Sequence, residues 1–123
     1  MIDIDSLDWG LPQEIQIQNI KKVQISCDED VRQLIMPYRK QNSWHNCAVI
    51  LAKLDNVTIL RFLPDLLGWV KDLNWPGADV ILERINLLPM EQMQPLCKAA
   101  YTLAMNEKDE QWAENLLDTF HFI

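Results

Sequence analysis

Leu63-Pro64-Asp65-Leu66-Leu67-Gly68-Trp69-Val70-Lys71-Asp72-Leu73-Asn74-Trp75-Pro76-Gly77-Ala78 is the stretch that decides the fold class. Leu63, Leu66, Leu67 and Val70 recur three and four apart, the spacing of one helix face. Pro76 suits a first helical turn, where a missing N–H has no intrahelical partner anyway. Asn74 is a good N-cap two residues before it, and Trp75 can staple against Asp79 or Val80 one turn on. Two helices therefore meet at a corner almost without a loop. Trp69 lies one to two turns before that corner, so the expectation is that its indole packs on Trp75 and fixes the angle between the helices.

Outward from the corner the same spacing continues. Upstream, a helix from about Asn56, bent or restarted at Pro64, presents Ile59, Leu60 and Leu63; downstream, Val80, Ile81, Ile85 and Leu88 form the next stripe. A further helix over Glu91 to about Met105 is expected to turn Leu96, Ala99, Ala100 and Leu103 inward, with a break or kink at Pro95. The last, from about Lys108 to Phe120, buries Trp112, Leu116 and Leu117. Nearer the start, a helix after Ser43 carries Trp44, Cys47, Ala48 and Leu51. Ser26-Cys27-Asp28-Glu29 reads as a capping box for a helix reaching about Met36 with Val31, Leu34 and Ile35 inward. A first helix after Pro12 points Leu11, Ile15, Ile20 and Val23 inward. Helix pairs thus start near residues 12, 43, 76 and 107, with Trp9, Trp44, Trp75 and Trp112 close by. A period of about 30 residues with two helices each is what α-solenoids show, because a lone helical hairpin cannot bury its apolar face.

The motif Leu-Leu-x-Trp-x-x-Asp-x-Asn-Trp-Pro, at Leu66 to Pro76, resembles the signature of a family of small bacterial proteins described as a domain of unknown function. The resemblance runs more loosely from about Leu34 to Leu117 and includes Asp109-x-x-Trp112, while Trp9 to Ile25 looks like an added helix of the same kind. It implies a short HEAT-like helical array with no assigned activity. Gly68 stands where the resemblance implies a longer polar residue, a change that loosens a helix by up to about 1 kcal/mol relative to Ala.

Composition sets the outer bounds. The chain has 123 residues, 49% of them hydrophobic and 24% charged, which fits one globular domain over residues 1–123 and not a disordered chain. No apolar run approaches the 18 or so residues of a membrane span, and acidic residues occupy the start where a signal peptide would be basic, so the expectation is a cytoplasmic protein. The net charge of -7 disfavours nucleic acid and anionic membranes as partners. It is uneven, at -4 over residues 1–33, +2 over 34–72 and -5 over 73–123.

The chemical motifs fail one by one. His45 and Cys47 lie two apart, on different sides of a helix, and cannot share a proton. His121 falls in an apolar tail. Cys27, Cys47 and Cys97 have no metal or disulfide spacing and read as reduced, small buried hydrophobes. Asp3, Asp5 and Glu14 mimic calcium-loop positions, but Leu7 and Asp8 stand where a ligand and a glycine are required. Asp65, Asp72 and Asp79, seven apart, share a flank in the manner of ordinary surface patterning. No cofactor is expected and no catalytic residue is named. The reading is an all-α, HEAT-like solenoid of about three helix pairs plus a C-terminal helix that binds a protein, in the manner of an immunity-type protein neutralising a basic toxin. Its candidate binding residues are Trp69, Asp72, Asn74 and Trp75 at the corner, and Glu107, Asp109, Glu110 and Glu114 at the start of the last helix. The alternatives are a small enzyme or metal-binding protein using clustered carboxylates, and a self-associating structural subunit.

Overall fold

A computed structural model describes residues 2–120. Among them every regular element is helical: α1 (Gln13–Lys22), α2 (Asp28–Leu34), α3 (Trp44–Leu51), α4 (Asn56–Leu66), α5 (Ala78–Asn86), α6 (Met90–Asn106) and α7 (Glu110–Phe120). Short 3-10 turns at Ile4–Leu7, Gln41–Ser43 and Leu67–Lys71 link or precede them. The expected all-α class is what the chain forms, and no described helix is long and apolar enough to cross a membrane.

The core is where the helical stripes converge. Cys47, Ala48 and Leu51 of α3 meet α5 through Ala78, Ile81 and Ile85, while α4 brings Ile59, Leu63 and Leu66 to α6. α7 closes the other side, burying Trp112, Leu116 and Phe120 against α6 and the Leu67–Lys71 turn. Burying side chains of this size contributes about 1.5 to 3 kcal/mol each before entropy is charged against it, so this convergence is the main source of stability.

Three tryptophans then lock the backbone. The indole N–H of Trp69 donates to the Pro76 carbonyl at 2.8 Å, that of Trp44 to Pro37 at 2.9 Å, and that of Trp112 to Leu67 at 3.0 Å. Each ring fills the core while its one polar atom ties a backbone carbonyl between or at the end of the α-helices.

Several expectations need correction. At the corner, α4 gives way to the 3-10 turn at Leu67, three residues past Pro64, and α5 begins only at Ala78, so Asn74 is not its cap. The N-cap position is Gly77, left-handed at φ 87° with no side-chain cap. Trp69 and Trp75 are joined through Trp44, whose ring stands edge-on to both at centroid distances of 6.0 and 5.5 Å. Gly68 faces Met36, whose Cε would lie 3.4 Å from an added Cβ, so a long side chain there would have to displace it.

Of the expected α6 stripe, Ala100 is buried and Leu96 packs half-buried on the core, but Ala99 and Leu103 are exposed, and Met93, Cys97 and Ala104 are buried in their place. The helix also runs unbroken through Pro95, with Met93 and Cys97 buried on either side of it. In α1 no residue is fully buried, and Ile15 is 41% exposed; Ile20 and Val23 lean on the core as expected. α2 ends at Leu34, and its capping partner is Asp30 instead of Glu29: the Asp30 carboxylate accepts from the Ser26 N–H at 2.9 Å and hydroxyl at 3.0 Å. Cys27 is exposed, not a buried hydrophobe. His45 is half-buried, with its ring 4.3 Å from that of the exposed Trp9. His121 lies outside the described residues.

Candidate functional site

The corner and the start of α7, separate in sequence, form one surface. Asn115 is buried in α7, and its carboxamide donates to the carbonyls of Val70 at 2.9 Å and Lys71 at 3.5 Å. Its oxygen accepts from the Gln111 amide at 2.8 Å. Lys71 lies over the Trp112 ring, its Nζ 4.6 Å from the centroid, a cation–π contact that clamps the turn to the helix. Between them runs a shallow groove lined by Lys71, Asp72, Leu73, Asn74, Gln111 and Asn115. Its rim mixes amide groups with one apolar side chain, Leu73, which is 45% exposed.

The eight candidate residues divide by what their side chains already do. Trp69 is 0% exposed and belongs wholly to the core. Asp72 closes the corner by accepting from the Asn74 N–H at 2.9 Å, and the Trp75 N–H donates to the Asp72 carbonyl at 3.0 Å. Trp75 is half-buried against Trp44. The Asn74 side chain is exposed on the groove. Asp109 caps α7, accepting from the Trp112 N–H at 3.1 Å. Glu107, Glu110 and Glu114 are exposed, and Glu110, Glu114 and Asp118 follow one another at intervals of four, on one outer face of α7.

None of those three carboxylates has an ion pair among the described residues, where the pairs are Arg32–Glu29, Lys40–Asp5 and Arg61–Asp28. The helix N-terminus favours Glu110, but like charges four apart on one face repel, so the stripe does not serve the helix's own stability. Sequence reasoning missed Gln111, Asn115 and Asp118. The available signal was Asn115 itself, a polar residue between Trp112 and Leu116 on the buried side of an amphipathic helix, where an amide must find backbone partners.

Reactive groups elsewhere are muted. Burial pushes the Cys47 thiol up to about 12 and the Cys97 thiol up to about 11. Both stay protonated and unreactive near neutral pH. Among the described residues no group of three or more His, Cys, Asp or Glu is placed to hold a metal ion; Asp72, one of the three aspartates spaced by seven, closes the corner.

Residues 35–122 match the model of a family described as a domain of unknown function, DUF5071. The chain belongs to DUF5071. No curated protein and no solved structure matches it. The DUF5071 segment includes the corner, the groove and all of the acidic residues 107 to 118, while α1 and α2 precede it.

Proposed function

We propose that this DUF5071 chain is a protein-binding module that takes a basic protein surface on the outer face of α7 and the adjoining groove. The observation that carries the reading is the unpaired acidic stripe Glu110, Glu114 and Asp118 beside a groove whose amides and exposed Leu73 suit a polypeptide. Acidic residues steer the encounter, and an apolar anchor with amide hydrogen bonds then holds the partner. An immunity-type protein that masks a basic toxin domain is the biological form this chemistry fits.

The finer fold reading belongs to the same proposal: a short HEAT-like stack in which successive helix pairs repeat. It is supported by the starts of α1, α3, α5 and α7 at Gln13, Trp44, Ala78 and Glu110, and by α3 packing on α5 while α4 packs on α6. Such layered helices leave outer faces free to vary without disturbing the core behind them.

The test is a pull-down from the native cell at low salt and at about 0.5 M salt, repeated with Glu107, Glu110, Glu114 and Asp118 changed to Gln or Asn. Asp109 is left unchanged because it caps α7. The neutralised surface should barely alter folding. A partner lost at high salt and lost by the neutralised variant supports the reading, since salt screens exposed charges beyond about 8 Å at physiological strength. A partner retained in both cases assigns recognition to apolar contacts and removes the acidic face from the site.

A further inference from the structure

The most exposed large apolar side chain among the described residues is Tyr38, at 81%. It does not dangle. The backbone on either side is left-handed at two residues other than glycine, Met36 at φ 44° and Arg39 at φ 59°. Such conformations persist only where the surroundings impose them. Here the Pro37 carbonyl accepts from the Trp44 indole N–H at 2.9 Å and from the Lys40 N–H at 3.1 Å, and Lys40 is tied by its ammonium to Asp5 at 2.5 Å. A strained, pinned turn thus presents an aromatic ring to solvent with the Arg39 guanidinium over it, 5.2 Å from the centroid.

Arg39 has no carboxylate within ion-pair distance among the described residues, in contrast to Lys40. A rigid aromatic with a stacked, unspent guanidinium is the residue pairing that anchors protein interfaces, and its charge selects a carboxylate surface. The same chain carries such a surface: the outer face of α7, with Glu110, Glu114 and Asp118 equally unpaired.

We propose that the Tyr38–Arg39 turn of one copy docks on the acidic outer face of α7 of a second copy. This rests on the reading of that face as a site for a basic protein surface and names the chain itself as one such surface. The contact is heterologous: each copy offers one turn and one acidic face, so association continues head to tail into rings or filaments. The net charge of -7 opposes it at long range, and physiological salt screens that repulsion while leaving the close contact.

Sedimentation equilibrium of the full chain over a range of concentrations at about 0.15 M salt tests this, with folding of each variant checked by circular dichroism. Wild type should rise above the 14.4 kDa of one copy as concentration increases. Arg39→Glu alone and Glu110→Lys with Glu114→Lys should each stay at one copy, because one of the two surfaces has been reversed. Mixing those two variants should restore association, since Arg39 of the second can meet the acidic face of the first and the acid introduced at position 39 of the first can meet the bases introduced at 110 and 114 of the second. Binding of poly-L-lysine to wild type, and its loss on reversing Glu110 and Glu114, reports on the acidic face separately. A wild type that remains one copy at every concentration, or an Arg39→Glu variant that associates like wild type, overturns the self-docking proposal; if poly-L-lysine still binds through α7, the acidic-face reading stands without it.

Discussion

Gly77 is the residue on which the corner turns. Its φ of 87° is open to glycine alone at low cost, and an added Cβ would lie 2.8 Å from the Ala48 Cβ, 2.9 Å from the Trp44 carbonyl oxygen and 3.1 Å from Cζ2 of Trp69. Two of those neighbours are fixed, one being backbone and the other a buried Ala on α3. Gly77→Ala therefore combines backbone strain with overpacking and should lose about 2 to 5 kcal/mol in denaturant titration. Its neighbours keep the order a capped helix would give, but at smaller cost. Asn74→Ala removes no cap and should cost less than about 0.5 kcal/mol, a surface-level change. Trp75→Ala opens a half-buried site against Trp44 and should cost about 2 to 3 kcal/mol, below the 3 to 5 of a fully buried ring. Equal stabilities for the two variants would mean that Trp75 does not pack on Trp44 in solution.

At the scale of elements, α2 and α4 are both held at their starts by aspartates whose carboxylates accept backbone N–H groups. Ser26 N–H and hydroxyl hold the Asp30 carboxyl below its ordinary 3.8, and the Thr58 N–H does the same for Asp55. A lowered folded pKa means that the stabilisation is complete above the unfolded value near 4 and is lost as pH falls through the folded one. Helical signal and thermal stability should thus hold from neutral pH down to about 4 and decline below it, with Asp30→Asn and Asp55→Asn together flattening that decline. A stability curve of unchanged shape in the double variant would assign acid sensitivity to other carboxylates. The α6 stripe teaches a different lesson at this scale. Leu96, Ala99 and Leu103 satisfy helical spacing as well as Met93, Cys97, Ala100 and Ala104 do. Periodicity identifies the helix, but it cannot rank two apolar faces about 100° apart; the packing of α4 and α7 on α6 decides which face is covered.

For the whole molecule, the three cysteines give a direct probe of the core. Cys27 is exposed, while Cys47 and Cys97 are buried in α3 and α6 with their thiols pushed up to about 12 and about 11. A thiol-reactive dye at neutral pH should label one cysteine per native chain, and three only once denaturant has unfolded it. Rapid labelling of all three in native conditions would contradict the packing of α3 on α5 and of α6 on α7.

The amino-acid sequence alone determined the helical class, because Leu and Ile spacing, prolines at helix starts and scarce glycines act within a few residues of each other. It also determined that Trp112, Leu116, Ile81, Cys47 and Leu51 are core residues, since each sits on a stripe with no competing face. Only the tertiary structure decided the rest. It placed Trp44 between Trp69 and Trp75, moved the start of α5 past Asn74 to the left-handed Gly77, and put Asn115 under the carbonyls of Val70 and Lys71. It joined the corner to the acidic face of α7 and set the Tyr38–Arg39 turn out in solvent. Those features depend on groups some 30 to 45 residues apart satisfying one another's buried polar atoms and volumes, and the local pattern around either partner does not say which distant group it meets.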